Sequence, residues 1–438
     1  MRILYQEAEN DFPYWINKEL PARKLTHART EQVGLMQENK LQLSKNQTLT
    51  WNIWGQQLQR AIPATTTQRV SAASQLDQSI RTTLNWQHLG QKMSWQARTA
   101  FYKERIYFQD SLAGVDADSR AWTSISEVEQ TTNLGNWKIY TGLNFTYLQA
   151  STDGYPNGVD QHRLASFTSI QRQYEDWAFA IHLRQEWANA QTIPFMPSFT
   201  MSYRCHPKIK ISVAAARNFR LPSFNDLYWI PGGNPNLLPE SGWSQSFETN
   251  YTPSKTMVIT WSGFNRLLEN RILWQPPANG FTWSPSNVDQ VWSRGFGGRW
   301  SWNTQVKAVK INLQSGYDYT LSTATKTKDI FSLNKQLIYS PLHQGYANIE
   351  VNWGSYGIHY LHHYTGKVLI QHRSLLELPS YQIGNLVLEK SWKFGQVFNT
   401  IQLRINNFWN ANYRVIERRP MPSRNIEFNL FFNFNITF

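Results

Sequence analysis

The last thirteen residues of the chain alternate in polarity. Ile426, Phe428, Leu430, Phe432, Phe434, Ile436 and Phe438 occupy every second position, with Glu427, Asn429, Asn433, Asn435 and Thr437 between them; Phe431 alone breaks the pattern. Successive side chains of a β-strand point to opposite sides, so this segment carries one continuous apolar face and one polar face. A helix would scatter the same residues around its circumference. The length suits a strand tilted across a bilayer, which needs about 9 to 11 residues. One greasy and one wet face over that span is what the wall of a transmembrane β-barrel requires.

The pattern recurs upstream. Leu49, Trp51 and Ile53 alternate with Thr50 and Asn52; Met93, Trp95, Ala97 and Phe101 with Ser94, Gln96 and Arg98; Val309, Ile311, Leu313 and Tyr317 with Lys310, Asn312, Gln314 and Asp318. A charge on the lipid face near mid-bilayer costs about 2 to 4 kcal/mol, so Arg98, Lys310 and Asp318 are expected to face the lumen. Single apolar residues set between polar ones also explain a composition of 41% hydrophobic and 14% aromatic residues with a negative mean hydropathy. No apolar run approaches the roughly 18 to 20 residues of a spanning helix, so a membrane crossing has to be made by strands. The 43 Lys and Arg against 30 Asp and Glu give a net charge of +13. These cations are scattered singly, without a basic stripe or a nucleic-acid motif, so nucleic acid is excluded as a partner and anionic lipid or an anionic ligand fits better. A single cysteine, Cys205, excludes an internal disulfide framework and a Cys-based metal cluster.

Connections alternate in length as an up-and-down barrel demands. Tight links are expected at Ser44–Gln47, Leu89–Gln91, Leu134–Asn136, Glu175–Asp176, His206–Lys208, Pro253–Lys255, Asn303–Thr304, Gly354–Ser355 and Phe394–Gly395. Longer Pro-, Gly- and Asn-bearing stretches fall near 11–30, 61–75, 109–118, 151–160, 190–194, 218–241, 270–288, 320–328, 365–378 and 409–424. The reading is an all-β, antiparallel up-and-down transmembrane barrel of about 20 strands, the first running outward and the last returning to the periplasmic side. Trp137, Trp177, Trp353 and Trp392 adjoin the short turns and are expected to form the inner aromatic girdle.

Several segments resemble TonB-dependent outer-membrane receptors. Arg217–Trp229, with Pro222 and Asp226 inside it, followed by Asn234, Pro235, Leu237, Pro239, Glu240 and Glu248, is similar to a signature extracellular segment of that family. His363–Lys367 with Leu378, Pro379, Ser380, Tyr381 and Asn385 resembles its late strands. Asn406–Asn410, Tyr413, Pro420–Pro422, Arg424 and the terminal Phe438 look like its closing hairpin, and Glu9–Tyr14, with Asn10 and Pro13, like an early extracellular loop. Ser423 stands where the family often has Gly, which should alter only the last loop. The resemblance implies a barrel of about 22 strands closed by an N-terminal plug. Residues 1–438 would then be the barrel domain without its plug and about two strands. Met1 runs directly into the strand-like Arg2–Gln6 with no leader, so the start is expected not to be the natural one.

The resemblance further implies a bacterial outer-membrane location and uptake of a scarce ligand, a ferric siderophore or cobalamin, by loop capture and plug gating. Expected partners are that small chelate, outer-membrane lipid and lipopolysaccharide, the barrel-assembly machinery acting on Phe434, Ile436 and Phe438, and the TonB complex, reached only through the missing plug. No catalytic residue, metal or cofactor is expected: Asp226, Glu240 and Glu248 have no spacing that pairs them, and no nucleophile–base motif occurs. The candidate ligand contacts are Arg220, Asp226, Tyr228, Trp229, Trp274, Phe281 and Trp283, whose rings and charges suit a planar or anionic ligand. The competing reading of the Arg220–Glu240 stretch is that its prolines and glycines hold loop and rim together. His359 and His363 share one strand face and His362 the other, so at most two converge. The haem branch of the family carries a His between its two boxes; none lies between Arg220 and Leu237, which sets haem below siderophores or cobalamin. Two other readings are a passive porin and a secreted, soluble β-propeller.

Overall fold

Alternation of this kind is satisfied by strands that each pair with the next. The computed structural model describes residues 1–438 except 17, 18, 20, 190, 276–282, 328, 396 and 435–438. It has twenty wall strands: Arg2–Ala8 (β1), Thr30–Ser44 (β2), Gln47–Ala61 (β3), Ala73–His88 (β4), Met93–Asp110 (β5), Val115–Leu134 (β6), Trp137–Thr152 (β7), Tyr155–Tyr174 (β8), Trp177–Ala188 (β9), Met196–His206 (β10), Ile209–Arg220 (β11), Glu240–Ser254 (β12), Met257–Gln275 (β13), Ser284–Val306 (β14), Val309–Lys326 (β15), His343–Trp353 (β16), Tyr356–Thr365 (β17), Tyr381–Phe394 (β18), Val397–Asn406 (β19) and Asn425–Phe434 (β20). Every consecutive pair is antiparallel. A two-residue segment, Gln191–Thr192, adds to the end of β9. One continuous meander of this length rules out the β-propeller, whose strands divide into separate four-stranded blades.

The registers fix two faces. Across β3 to β7, Trp51, Leu84, Thr99, Ser126 and Phe145 lie on one rung, and Leu49, Trp86, Ala97, Val128 and Leu143 on another. Among the described residues this apolar side has no protein against it: Leu143 is 59% exposed and Phe428 62%. Lipid must cover it, since apolar surface left in water forfeits about 25 cal/mol per Å². The opposite side is polar and self-paired. Arg98 joins Glu127 and Glu129 there, Arg81 meets Glu104 at 2.6 Å and Arg299 meets Asp318 at 3.9 Å. Lys310 lies on the same polar side, opposite Gln305 and Asn352. Phe431, the exception in the last strand, points inward with Asn429. Trp137, Trp177, Trp353 and Trp392 lie at or near the turn ends of their strands, and Trp177 stacks on Tyr203 with centroids 3.9 Å apart.

Some expected connections lie elsewhere. Asn303 and Thr304 continue β14; the tight turn is Lys307–Ala308, where Lys307 takes φ +54° between the paired Val306 and Val309. The stretches 109–118 and 151–160 are mostly strand, leaving outer links of only Ser111–Gly114 and Asp153–Gly154, so short connections occur at both ends of the barrel. Strand also reaches through Gln275 and Lys326, and the loop after β15 runs from 327 to 342. In each case polar residues, taken from the sequence as loop, extend a ladder beyond the membrane, where both faces meet water.

Candidate functional site

The outer rim gathers most of the residues singled out above. Pro222, whose nitrogen has no proton to donate, ends β11. Ser223 then caps a short helix, Phe224–Tyr228: its Oγ accepts from the Asp226 amide at 3.2 Å, while its own N–H and Oγ–H donate to Asp226 Oδ2 at 2.9 and 2.8 Å. Asp226 Oδ1 accepts from Trp274 Nε1 at 2.8 Å. Arg220 grips Glu240 through two bonds of 2.9 and 2.7 Å and stands 3.8 Å from Asp226, and Glu240 also accepts from the Ile272 amide at 2.8 Å. Burial alone would raise the Asp226 carboxyl, but donors from Ser223 and Trp274 together with the Arg220 charge outweigh it and hold Asp226 below the ordinary carboxylate range.

The rest of this loop leans on its neighbours. Trp229 covers Gly154, where any side chain would collide with the indole, and the Ile230 amide donates to the Gly154 carbonyl at 2.9 Å. Tyr228 lies beside Phe224 with centroids 6.2 Å apart. Asn234 donates to the Pro285 carbonyl at 3.2 Å, Leu237 is buried, and Asn287 exchanges bonds of 2.7 and 2.9 Å with the Leu238 backbone. Pro222 is also buried, Pro235 is exposed and Pro239 half-buried. Arg220, Asp226, Trp274 and Glu240 thus come together as one network, while Tyr228 and Trp229 pack separately and Trp283 is 56% exposed. Phe281, Ile436 and Phe438 lie outside the described residues, as does the Phe434 side chain.

Across the rim, Asn407 is 3% exposed and staples the last loop: its side chain bonds to the Ala411 backbone in both directions at 2.8 Å and donates to the Pro422 carbonyl at 3.2 Å, and its amide donates to Asn385 at 3.0 Å. Tyr381 meets Tyr413 at a tilt, with centroids 4.9 Å apart, Pro379 is exposed, and the Arg424 amide donates to Asn410 at 2.9 Å. Asn10, at φ +54°, fastens the first loop by donating to the Ala28 carbonyl at 3.0 Å. The two loops meet. Arg414 donates to the Ile16 carbonyl at 2.8 Å and Ser423 to the Pro13 carbonyl at 3.5 Å, around a cleft of about 330 Å³ lined by Pro13, Tyr14, Trp15, Asn412 and Met421. They also touch the loop after β3, where Arg419 donates to the Pro63 carbonyl at 2.6 Å.

Sequence reasoning missed one rim feature. Glu186, 2% exposed, accepts from Arg163 Nε at 2.6 Å and from Arg184 Nη2 at 3.0 Å. The i, i+2 spacing of Arg184 and Glu186 places them on one strand face and was legible; Arg163 joins them only through the β8–β9 register. Among the described residues no group of three His, Cys, Asp or Glu could hold a metal. Tyr360 and His362 sit on the lipid side with 2.9 Å between hydroxyl and Nδ1, facing away from His359 and His363.

Known proteins carry the same architecture. The FrpB iron transporter of Neisseria meningitidis superposes with a TM-score of 0.79 over 98% of this chain and 76% of its own, at 12% identity, a likeness of fold alone. In sequence, the vitamin B12 transporter BtuB of Photobacterium profundum is 24% identical over 221 residues, 45% of this chain and 36% of that protein. BtuB of Vibrio vulnificus is 37% identical over 86 residues, 19% of this chain and 13% of its own length. The matched stretches therefore span well under two thirds of these relatives. Residues 24–408 match the family described as TonB dependent receptor-like, beta-barrel, and with most of its length inside that match the chain belongs to this family of outer-membrane β-barrels.

Proposed function

We propose that this barrel serves TonB-dependent uptake of a bulky, scarce chelate across a Gram-negative outer membrane, with cobalamin the first candidate and a ferric siderophore the second. The observation that carries cobalamin is the sequence match to vitamin B12 transporters, 37% identity over its 86-residue stretch. Loops on buried staples around a polar lumen suit capture followed by passage, because a pre-ordered loop loses little entropy on binding. No covalent chemistry is needed, so the protein acts as a transporter and not as an enzyme. Arg220 and Asp226 hold the rim, and Trp283, with the cleft between the first and last loops, is where a ligand would meet aromatic surface.

The gate, in this reading, is a plug supplied by sequence outside the 438 residues, and TonB acts through that plug. Among the described residues no ladder joins β20 to β1. We take this seam as the place where about two further strands complete the wall. Lipopolysaccharide surrounds the outer half of the barrel, and the barrel-assembly machinery engages its last strand. The test is growth on limiting cobalamin of cells lacking their own receptor. The barrel joined to the N-terminal segment of a full-length vitamin B12 transporter is expected to restore growth only when TonB is present. Rescue by a ferric siderophore and not by cobalamin would exchange the first candidate for the second. TonB-independent leakage of small solutes would instead make the protein a passive channel.

A further inference from the structure

The outward face of β3 to β6 holds a recess of about 530 Å³ that neither transport nor the lumen uses. Two successive rungs form it. The upper one runs Gln57, Gln78, Arg105, Arg120, and the lower one Gly55, Ile80, Lys103, Trp122. The lower rung sits directly above Phe101 and the apolar belt. From Trp95, near the inner turn, to Lys103 is eight residues, about 27 Å along the strand and about 21 Å along the membrane normal at the usual tilt. The upper rung, two residues further on, stands at about 26 Å by the same measure, and the apolar band is about 25 Å tall, so the two rungs bracket the outer boundary between acyl chains and headgroups.

Its chemistry is cationic over an aromatic floor. Lys103 Nζ lies 4.7 Å from the centroid of Trp122, and no carboxylate approaches within ion-pair distance among the described residues. Arg105 makes bonds of 2.8 and 3.0 Å to Asp118, which also takes Arg120 at 2.7 Å, so one carboxylate is shared by two guanidiniums; Glu104, which also lines the recess, is taken up by Arg81, and with Lys103 two positive charges are left uncompensated. Gln78 donates to Gln57 at 2.9 Å along its upper edge. The hollow opens over Gly55, where an added Cβ would meet nothing within 4 Å. Three cations, an indole and a gap at headgroup height are unfavourable against hydrocarbon and match a phosphate on a sugar whose acyl chains run down the apolar face below.

We propose that this recess is a binding site for the phosphorylated sugar headgroup of an outer-leaflet glycolipid, with Lys103 and Arg120 on the phosphate and Trp122 under the sugar. The proposal deepens the lipopolysaccharide contact suggested above and rests on the outward orientation of this face.

The test is retention of lipid A in detergent micelles by the barrel joined to the same N-terminal segment as in the transport assay, read by native mass spectrometry, with dephosphorylated lipid A as the comparison. The folded barrel is expected to retain the phosphorylated form about tenfold better, and Lys103→Gln with Arg120→Gln to abolish that preference. Gly55→Leu fills the hollow without altering charge or the apolar character of the face, and is expected to abolish retention in a barrel that still migrates as folded on an unheated gel. Arg294→Gln, outward-facing but in β14, is expected to change nothing. Equal retention of the two lipids, survival of the preference in Gly55→Leu, or its displacement by millimolar inorganic phosphate would overturn the proposal. Failure of the transport reading would appear separately, as a barrel that binds lipid A with this preference yet takes up no chelate.

Discussion

Asp226 is 6% exposed and accepts donors from both Ser223 and Trp274. Its carboxyl is held below the usual range, so its contribution to loop order is complete above the ordinary Asp pKa and is lost as pH falls through the lowered one. A nitroxide at the exposed Asn236, in a Cys205→Ser background, should therefore report a rigid loop at neutral pH and a mobile one in strong acid. Asp226→Asn should show the mobile spectrum already at neutral pH and weaken the loop by about 1 to 3 kcal/mol, the usual range when a buried acceptor is lost. Exposure of the Arg220 side chain at 51% keeps its own share of the network small, because water screens it. Arg220→Lys should therefore loosen the loop less than Asp226→Asn does in the same spectrum.

In a strand the sign of a substitution follows from parity alone. Leu403 and Gln402 are neighbours in β19; Leu403 lies opposite Phe428 on the lipid side, and Gln402 donates to Glu389 at 2.9 Å on the lumen side. Leu403→Arg should lower the unfolding free energy read from a urea titration by about 2 to 4 kcal/mol, whereas Gln402→Arg should change it little. A comparable loss in both would mean that the faces are misassigned. This parity was readable in the sequence wherever apolar residues marked one side, as for Arg98, Lys310 and Asp318. Beyond the bilayer the mark disappears, because water wets both faces, and Asn303–Thr304 and the stretch 151–160 then look like loop although they are ladder. The rim was legible as motif and not as contact: Pro222 and Ser223 announce a strand end and a cap, but the approach of Trp274 to Asp226 spans 48 residues and depends on how the β12–β13 hairpin returns.

At the scale of the molecule the seam proposed between β1 and β20, where no ladder is found among the described residues, would govern stability. An edge strand leaves about half its backbone groups unpaired, and in hydrocarbon each such group costs several kcal/mol. Over the ten residues of β20 that amounts to tens of kcal/mol, more than a domain's whole net stability of about 5 to 15 kcal/mol. Expressed alone, the chain should stay extractable by urea from membrane fractions, and it should resist extraction when strands that fill the seam are supplied in the same cell. Equal resistance in both cases would mean that the seam closes on itself. Among the described residues the side-chain bonds that bridge this gap, Arg414 to Ile16 and Ser423 to Pro13, lie at its outer end. A hoop fastened at one rim is mechanically a split collar: its outer end is held by the loops, whereas at the inner end no ladder joins the lips among the described residues. The clasp thus sets the direction from which such a barrel would come open, from the periplasmic lip upward.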